Sequence, residues 1–216
     1  MEPPRGSTHL TAMKFAVALL ALPLLAQPSA FERKEQALGQ QIAKDIRSRS
    51  KPLELPPIEA YVNELGKRLV PEQNYRFEVV VIDATEPIAV LGGTIFVPAS
   101  LLATVQDEAE LNTQLAHAIG HIALRHGLQT SSTGTAAIPL IFVGGWTGFH
   151  GRQDLLVPQK FREQQRTWET EADVYAAELT ARDGVPAASD QFRQMQETVR
   201  ASLPPVKQRT PPTLGR

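Results

Sequence analysis

Apolar positions recur along this chain at two different periods. From Pro57, the residues Ile58, Tyr61, Val62, Leu65 and Leu69 return every three or four positions until Pro71. That is the stripe of a helix with a proline start and a proline stop. Phe77 to Ile82 is then a run rich in β-branched residues, which predicts a strand. Ile88 to Leu91 is a second short apolar run, Gly92-Gly93 a turn, and Thr94 to Val97 a further strand. Upstream, Phe31 to Ser48 reads as a charged helix, cut off by Pro52, Pro56 and Pro57. Downstream, a long helix is expected from Asp107 to His126, with Asp107 and Glu110 as its start signal and Gly127 as its stop. Gln159 to Arg182 reads as another helix, ended by Gly184 and Pro186. Phe192, Met195, Val199 and Leu203 mark a last amphipathic one. The pattern is α+β, mostly helical, with a small sheet of two or three strands and no internal repeat.

The two ends differ from the middle. Lys14, the apolar run Phe15 to Ala26, the small residues Ser29 and Ala30, and the charges from Glu32 to Glu35 follow the order of a secretory signal peptide. Residues 1–30 are therefore expected to be a leader, with Met13 a natural start for a compact one. The run is too short for a transmembrane helix, which needs roughly 20 apolar residues. The same holds for the apolar stretch 134–148, broken by Pro139, Gly144 and Gly145, which reads as buried. Residues 204–216, with four prolines, are expected to be an irregular tail.

Composition narrows the chemistry. The chain has 216 residues, 42% of them hydrophobic, and a net charge of -1. That suits one domain with a real core and argues against a disordered chain or a nucleic-acid footprint. It has no Cys. Disulfides, thiolate nucleophiles, iron–sulfur clusters and Cys-bound zinc are thus excluded. A transition-metal site would have to come from His, Asp and Glu.

Such residues are available on two of the expected helices. His117-Ala-Ile-Gly-His121 places two imidazoles four apart, on one face. Leu111, Leu115, Ile119 and Ile122 form the core stripe of that helix, and the His pair lies on another flank with Glu110 and Gln114. Alone, such a pair is equally consistent with two core-edge histidines. On the later helix, Glu169 and Asp173 are also four apart, beside the stripe Phe161, Trp168, Ala172, Tyr175 and Leu179. One of these acids could bind a metal and the other could orient a ligand His. The bland alternative is a solvated acidic face. Two His and one Glu form a known catalytic zinc set with a fourth position for water. His126 falls about 140° round the helix from His121, so it reads as a helix-end His favoured by the C-terminal dipole. Glu171 points elsewhere on its helix. His150 reads as a loop His, with a fourth ligand as the alternative.

The stretch Glu108 to Gly127 resembles the zinc helix of the HtpX-like and CAAX-prenyl-protease family of metalloendopeptidases, in its small exported bacterial form. Glu169-Thr-Glu-Ala-Asp173 is similar to that family's E-x-x-x-D element. The resemblance implies a zincin-like fold over residues 31–203, zinc as cofactor, His117, His121 and Glu169 as its ligands, and Asp173 as the supporting acid. It also implies a polypeptide substrate or client, while the near-zero charge argues against nucleic acid and the leader-like segment implies a periplasmic or extracellular location with no stable membrane span once it is removed. The strands around Gly92-Gly93 resemble the segment thought to offer an edge to substrate peptide. One departure matters. Where the family has the Glu of H-E-x-x-H, this chain has Ala118. That Glu would pass protons between zinc-bound water and the leaving amine, a role worth about 10²–10⁴-fold in rate. Four readings follow: a metallopeptidase with weakened or redirected catalysis, a non-catalytic zinc-stabilised peptide-binding or chaperone-like module, an engineered inactivation of an ordinary protease, or a helical interaction protein without metal.

Overall fold

The computed structural model describes residues 29–82, 84–127, 159–183 and 189–203. The expected leader, the 134–148 stretch, His150 and the Pro-rich tail lie outside these residues. Helix α1 (Ala30–Arg49) starts at Ser29, whose hydroxyl accepts from the Glu32 N–H while the Glu32 carboxylate accepts from the Ser29 N–H. This reciprocal box satisfies two donors that a helix start leaves open. Strand β1 (Lys51–Pro52) follows, then helix α2 (Pro56–Leu69) with Pro in its first turn. Strands β2 (Arg76–Val81), β3 (Ile88–Val90) and β4 (Thr94–Pro98) come next. Helices α3 (Ala99–Thr104), α4 (Glu108–Ala123), α5 (Gln159–Asp183) and α6 (Asp190–Ser202) complete the chain order.

The fold is α+β and mostly helical, as the periodicities imply, but the sheet has four strands, in the order β1-β2-β4-β3. The extra strand is β1, which pairs antiparallel with β2 through Lys51 and Pro52. Pro is tolerated there because β1 is an edge. β2 and β4 run parallel, with Phe77 beside Ile95, and β3 returns antiparallel on the other side, with Ile88 beside Phe96. The β3–β4 turn requires positive φ at Gly92 (83°) and Gly93 (90°), which glycine adopts without a Cβ clash.

Side chains from both faces close one core. The expected α2 stripe of Ile58, Tyr61, Val62, Leu65 and Leu69 is buried, and the Phe77 ring sits directly on Gly66, where a Cβ would lie 2.0 Å from it. Polar ties then fix the helices around the sheet. Arg47 of α1 donates twice to the Glu78 carboxylate of β2, at 2.8 and 2.6 Å. Glu108, buried at the start of α4, accepts from Arg68 of α2 and from Ser189 at the cap of α6, both at 2.8 Å. Gln196 and Arg200 of α6 donate to the carbonyls of Leu102, Val105 and Ala103, which α3 leaves open at its end. None of the described helices is long and apolar enough to cross a membrane.

The segment that matters most is the α4–α5 pair. Gly120 brings the two helices into close contact, since a Cβ there would lie 3.2 Å from the Ala172 Cα and carbonyl oxygen. α4 opens as expected, at Asp107, whose side chain accepts from the Glu110 N–H. It closes earlier than expected. The helix ends at Ala123, and Arg125 has φ 55, the left-handed region. A non-glycine residue there carries a backbone cost of order 1–3 kcal/mol.

Candidate metal centre

The α4–α5 crossing sets the site. Within one helical turn of Gly120 and Ala172, the two helices carry His117, His121 and Glu169. The His117 and His121 Nε2 atoms lie 3.0 Å apart. Glu169 Oε2 lies 3.2 Å from the first and 3.6 Å from the second. The three candidate ligand atoms therefore form a nearly equilateral triangle. Tetrahedral zinc with bonds of about 2.0–2.2 Å holds neighbouring ligand atoms about 3.3 Å apart, so the triangle has the dimensions that such an ion needs. His121 is buried, and His117 and Glu169 are partly exposed.

Electrostatics fit the same picture. Burial works against charge on His117, but hydrogen bonds to Glu169 and Asp173 outweigh it and raise its pKa. The neighbouring His117 and His121 imidazoles lower Glu169 to about 2. The Glu169 carboxylate is thus fully ionised at neutral pH, as a metal ligand must be. His117 Nδ1–H donates to Asp173 Oδ1 at 2.9 Å. This fixes the ring orientation and leaves Nε2 facing the triangle, the arrangement that a carboxylate behind a ligand His produces.

Two expectations need correction. His126 is not the last-turn histidine of α4 that the spacing implies, since the helix ends at Ala123. It is wholly buried, its Nδ1 is 3.0 Å from His121 Nδ1, and its ring stacks on Trp168 at 5.7 Å with 21° between the planes. Its distance round a continuous helix was the wrong measure, because Arg125 breaks the helix and turns the chain back. Burial and then the neighbouring His121 imidazole lower the His126 pKa, against the opposing pull of Glu171. Glu171, placed by its spacing elsewhere on its helix, accepts the His126 Nε2–H at 3.0 Å. The sequence signal for both was slight, a His soon after the pair and an acid between Glu169 and Asp173.

Ala118 is buried, 1% exposed, among core side chains beside the candidate ligands. Among the described residues, the acids Glu110, Asp173 and Glu171 do not stand in for a carboxylate at this position. The Glu110 carboxylate accepts from the Gln106 N–H at the far end of α4, while Asp173 and Glu171 are engaged with His117 and His126. The arrangement can bind and polarise, yet it lacks a carboxylate at the position next to His117.

Comparison with known proteins agrees with this reading of the residues. The model of a family described as "Peptidase family M48" matches residues 56–211. Over 116 residues the chain is 29% identical to a beta-barrel assembly-enhancing protease of Yersinia pestis, covering 51% of this chain and 24% of that protein. The protein of the same description in Escherichia coli (strain K12) is 26% identical over the same length and the same shares. The match thus spans about a quarter of the length of these relatives.

Proposed function

The chain belongs to peptidase family M48, and from that premise we propose that it is a zinc-binding protein of the cell envelope whose peptide hydrolysis is weakened or lost at Ala118. The ligands are His117, His121 and Glu169, with Asp173 orienting His117. The observation that carries the reading is the triangle of 3.0, 3.2 and 3.6 Å formed by two imidazole nitrogens and a carboxylate oxygen. Zinc bound there would polarise a peptide carbonyl and bring the pKa of a bound water to roughly 7. His117, His121 and Glu169 would hold the ion and Asp173 would orient the His117 ring, but Ala118 has no proton to give or take. Binding of polypeptide can therefore persist while turnover falls by about 10²–10⁴-fold. The buried Ala118 side chain favours a second reading, a non-catalytic module that holds a polypeptide client and uses zinc for stability. Export, supported by the signal-like residues 1–30, and a role near the envelope, supported by what the two relatives are named for, belong to both readings.

The test is metal content followed by cleavage. The purified natural protein should hold one zinc per chain, and Glu169→Ala should lose it. With zinc bound, the natural protein should cleave casein barely or not at all, and Ala118→Glu should gain chelator-sensitive cleavage. Robust chelator-sensitive cleavage by the natural protein would sink the weakened-catalysis reading. A zinc-loaded Ala118→Glu variant that gains nothing would favour the client-binding module. No stoichiometric zinc in the natural protein would overturn the metal centre itself.

A further inference from the structure

We propose that His126 and Glu171 are positioning residues for His121, a hydrogen-bonded chain that presents the His121 Nε2 lone pair to the metal position. The proposal rests on the metal reading above and extends it to residues that the ligand triangle leaves out.

The argument is one of donors and acceptors. The Glu171 carboxylate can only accept, so the hydrogen in its 3.0 Å contact with His126 Nε2 belongs to the imidazole. A neutral imidazole with its hydrogen on Nε2 has a bare Nδ1, which can only accept. His126 Nδ1 lies 3.0 Å from His121 Nδ1, so that contact requires the hydrogen to sit on His121 Nδ1. His121 is then bare at Nε2, the atom 3.0 Å from His117 Nε2 and 3.6 Å from Glu169 Oε2. Each link follows from the one before it, and the chain starts at a half-exposed carboxylate whose side chain is 50% exposed.

The rings are held for this purpose. His121 stands nearly perpendicular to both neighbours, at 66° to His117 and 79° to His126. Perpendicular rings let the in-plane nitrogen lone pairs and N–H bonds meet. Trp168, itself buried, fixes the His126 plane by stacking. The left-handed Arg125 makes the geometry possible, since a helix continued past Ala123 would carry His126 away from His121. Asp173 does the same for His117 in one step. The two ligand imidazoles are thus oriented by α5 acids of the same helix, one directly and one through an intervening ring.

The experiment measures zinc affinity by competition with a chromophoric chelator, using zinc alone, and reads the imidazole tautomers of the metal-free protein by multiple-bond proton–nitrogen NMR. Glu171→Ala and His126→Phe should each weaken zinc binding by about 10–100-fold, the usual effect of losing a partner behind a metal ligand. His126→Gln, whose amide can accept from His121 and donate to Glu171, should recover most of the loss. In the natural protein His121 should carry its hydrogen on Nδ1, and His126→Phe should mix the two tautomers. Cobalt-substituted Glu171→Ala should show an altered visible spectrum, which a purely structural role would leave unchanged. Should His126→Phe fail to fold, Glu171→Ala decides, because its side chain is half exposed. If Glu169→Ala loses zinc while Glu171→Ala and His126→Phe bind it as the natural protein does, the positioning chain is wrong and the metal centre stands. A His121 hydrogen found on Nε2 would also overturn the chain. If the natural protein binds no zinc, or Glu169→Ala keeps it, both proposals fall.

Discussion

Gly120 offers the sharpest test of how the metal centre is placed. A methyl group added there would sit 3.2 Å from the Ala172 Cα, 3.2 Å from its carbonyl oxygen and 3.3 Å from the Tyr175 Cβ. Non-bonded carbons settle at about 3.5–4.0 Å, so α5 must retreat from α4 by a few tenths of an ångström. Two effects then oppose each other in Gly120→Ala. The better helix former contributes about 0.8–1 kcal/mol, and overpacking against backbone costs about 1–3 kcal/mol. The net loss runs from almost nothing to about 2 kcal/mol, or a melting temperature lower by up to about 8 °C for a chain of this size. Metal binding should suffer more. Glu169 lies one helical turn from Ala172, and metal–ligand distances tolerate only about 0.2 Å. Zinc affinity, measured against a competing chelator, should fall at least about tenfold, the lower end of what disturbed ligand surroundings cost. Gly120→Leu should separate the helices and abolish both binding and cooperative melting. If Gly120→Ala instead melts higher by the propensity gain alone and binds zinc unchanged, the helix crossing does not set the ligand positions.

Two other perturbations follow from contacts away from the site. Gly39 of α1 lies on the β3–β4 turn, where an added Cβ would be 1.7 Å from the Leu91 carbonyl oxygen; Gly39→Ala should cost about 2 kcal/mol net of helix propensity, read as a lower melting temperature and as proteolysis of a lifted α1. The Arg47 guanidinium, by hydrogen bond and then by charge, holds Glu78 below the usual carboxylate range. A lowered folded pKa means stability present above about pH 4.3 and lost as pH falls through the folded value. The natural protein should therefore exceed Glu78→Gln by about 1–2 kcal/mol near pH 7, a figure kept small because Arg47 is half exposed. The gap should close in denaturant titrations below about pH 4, and a gap independent of pH would refute the ion-pair account.

Much of this arrangement was legible from the residues alone. Helical periods announced α2, α4 and α6, the Asp107 cap located the start of α4, and spacing put His117 with His121 and Glu169 with Asp173 on common flanks. What escaped shares a physical cause. β1 is two residues long and includes Pro52, so it has no period to detect and exists only because β2 offers an edge. α3 is six residues, too short for a stripe to stand out from its apolar surroundings. The place of His126 depends on one left-handed residue, and Arg125 carries no sequence mark of that conformation, unlike the glycine that usually ends a helix there. The role of Glu171 depends in turn on His126. Periodicity describes continuous elements, and these residues act at the point where an element stops.

The separation of the candidate ligands along the chain means that one ion would tie together distant parts of the fold. His117 and Glu169 are 52 residues apart. An ion held by both binds the folded chain and is released on unfolding, so it stabilises the fold by its binding free energy, about 4 kcal/mol when free zinc stands a thousandfold above its dissociation constant. That is as much as a good disulfide contributes, in a protein that has no cysteine to make one. A site with Ala118 in place of a carboxylate would still have a use for its candidate ligands, as a metal tether between two helices far apart in sequence.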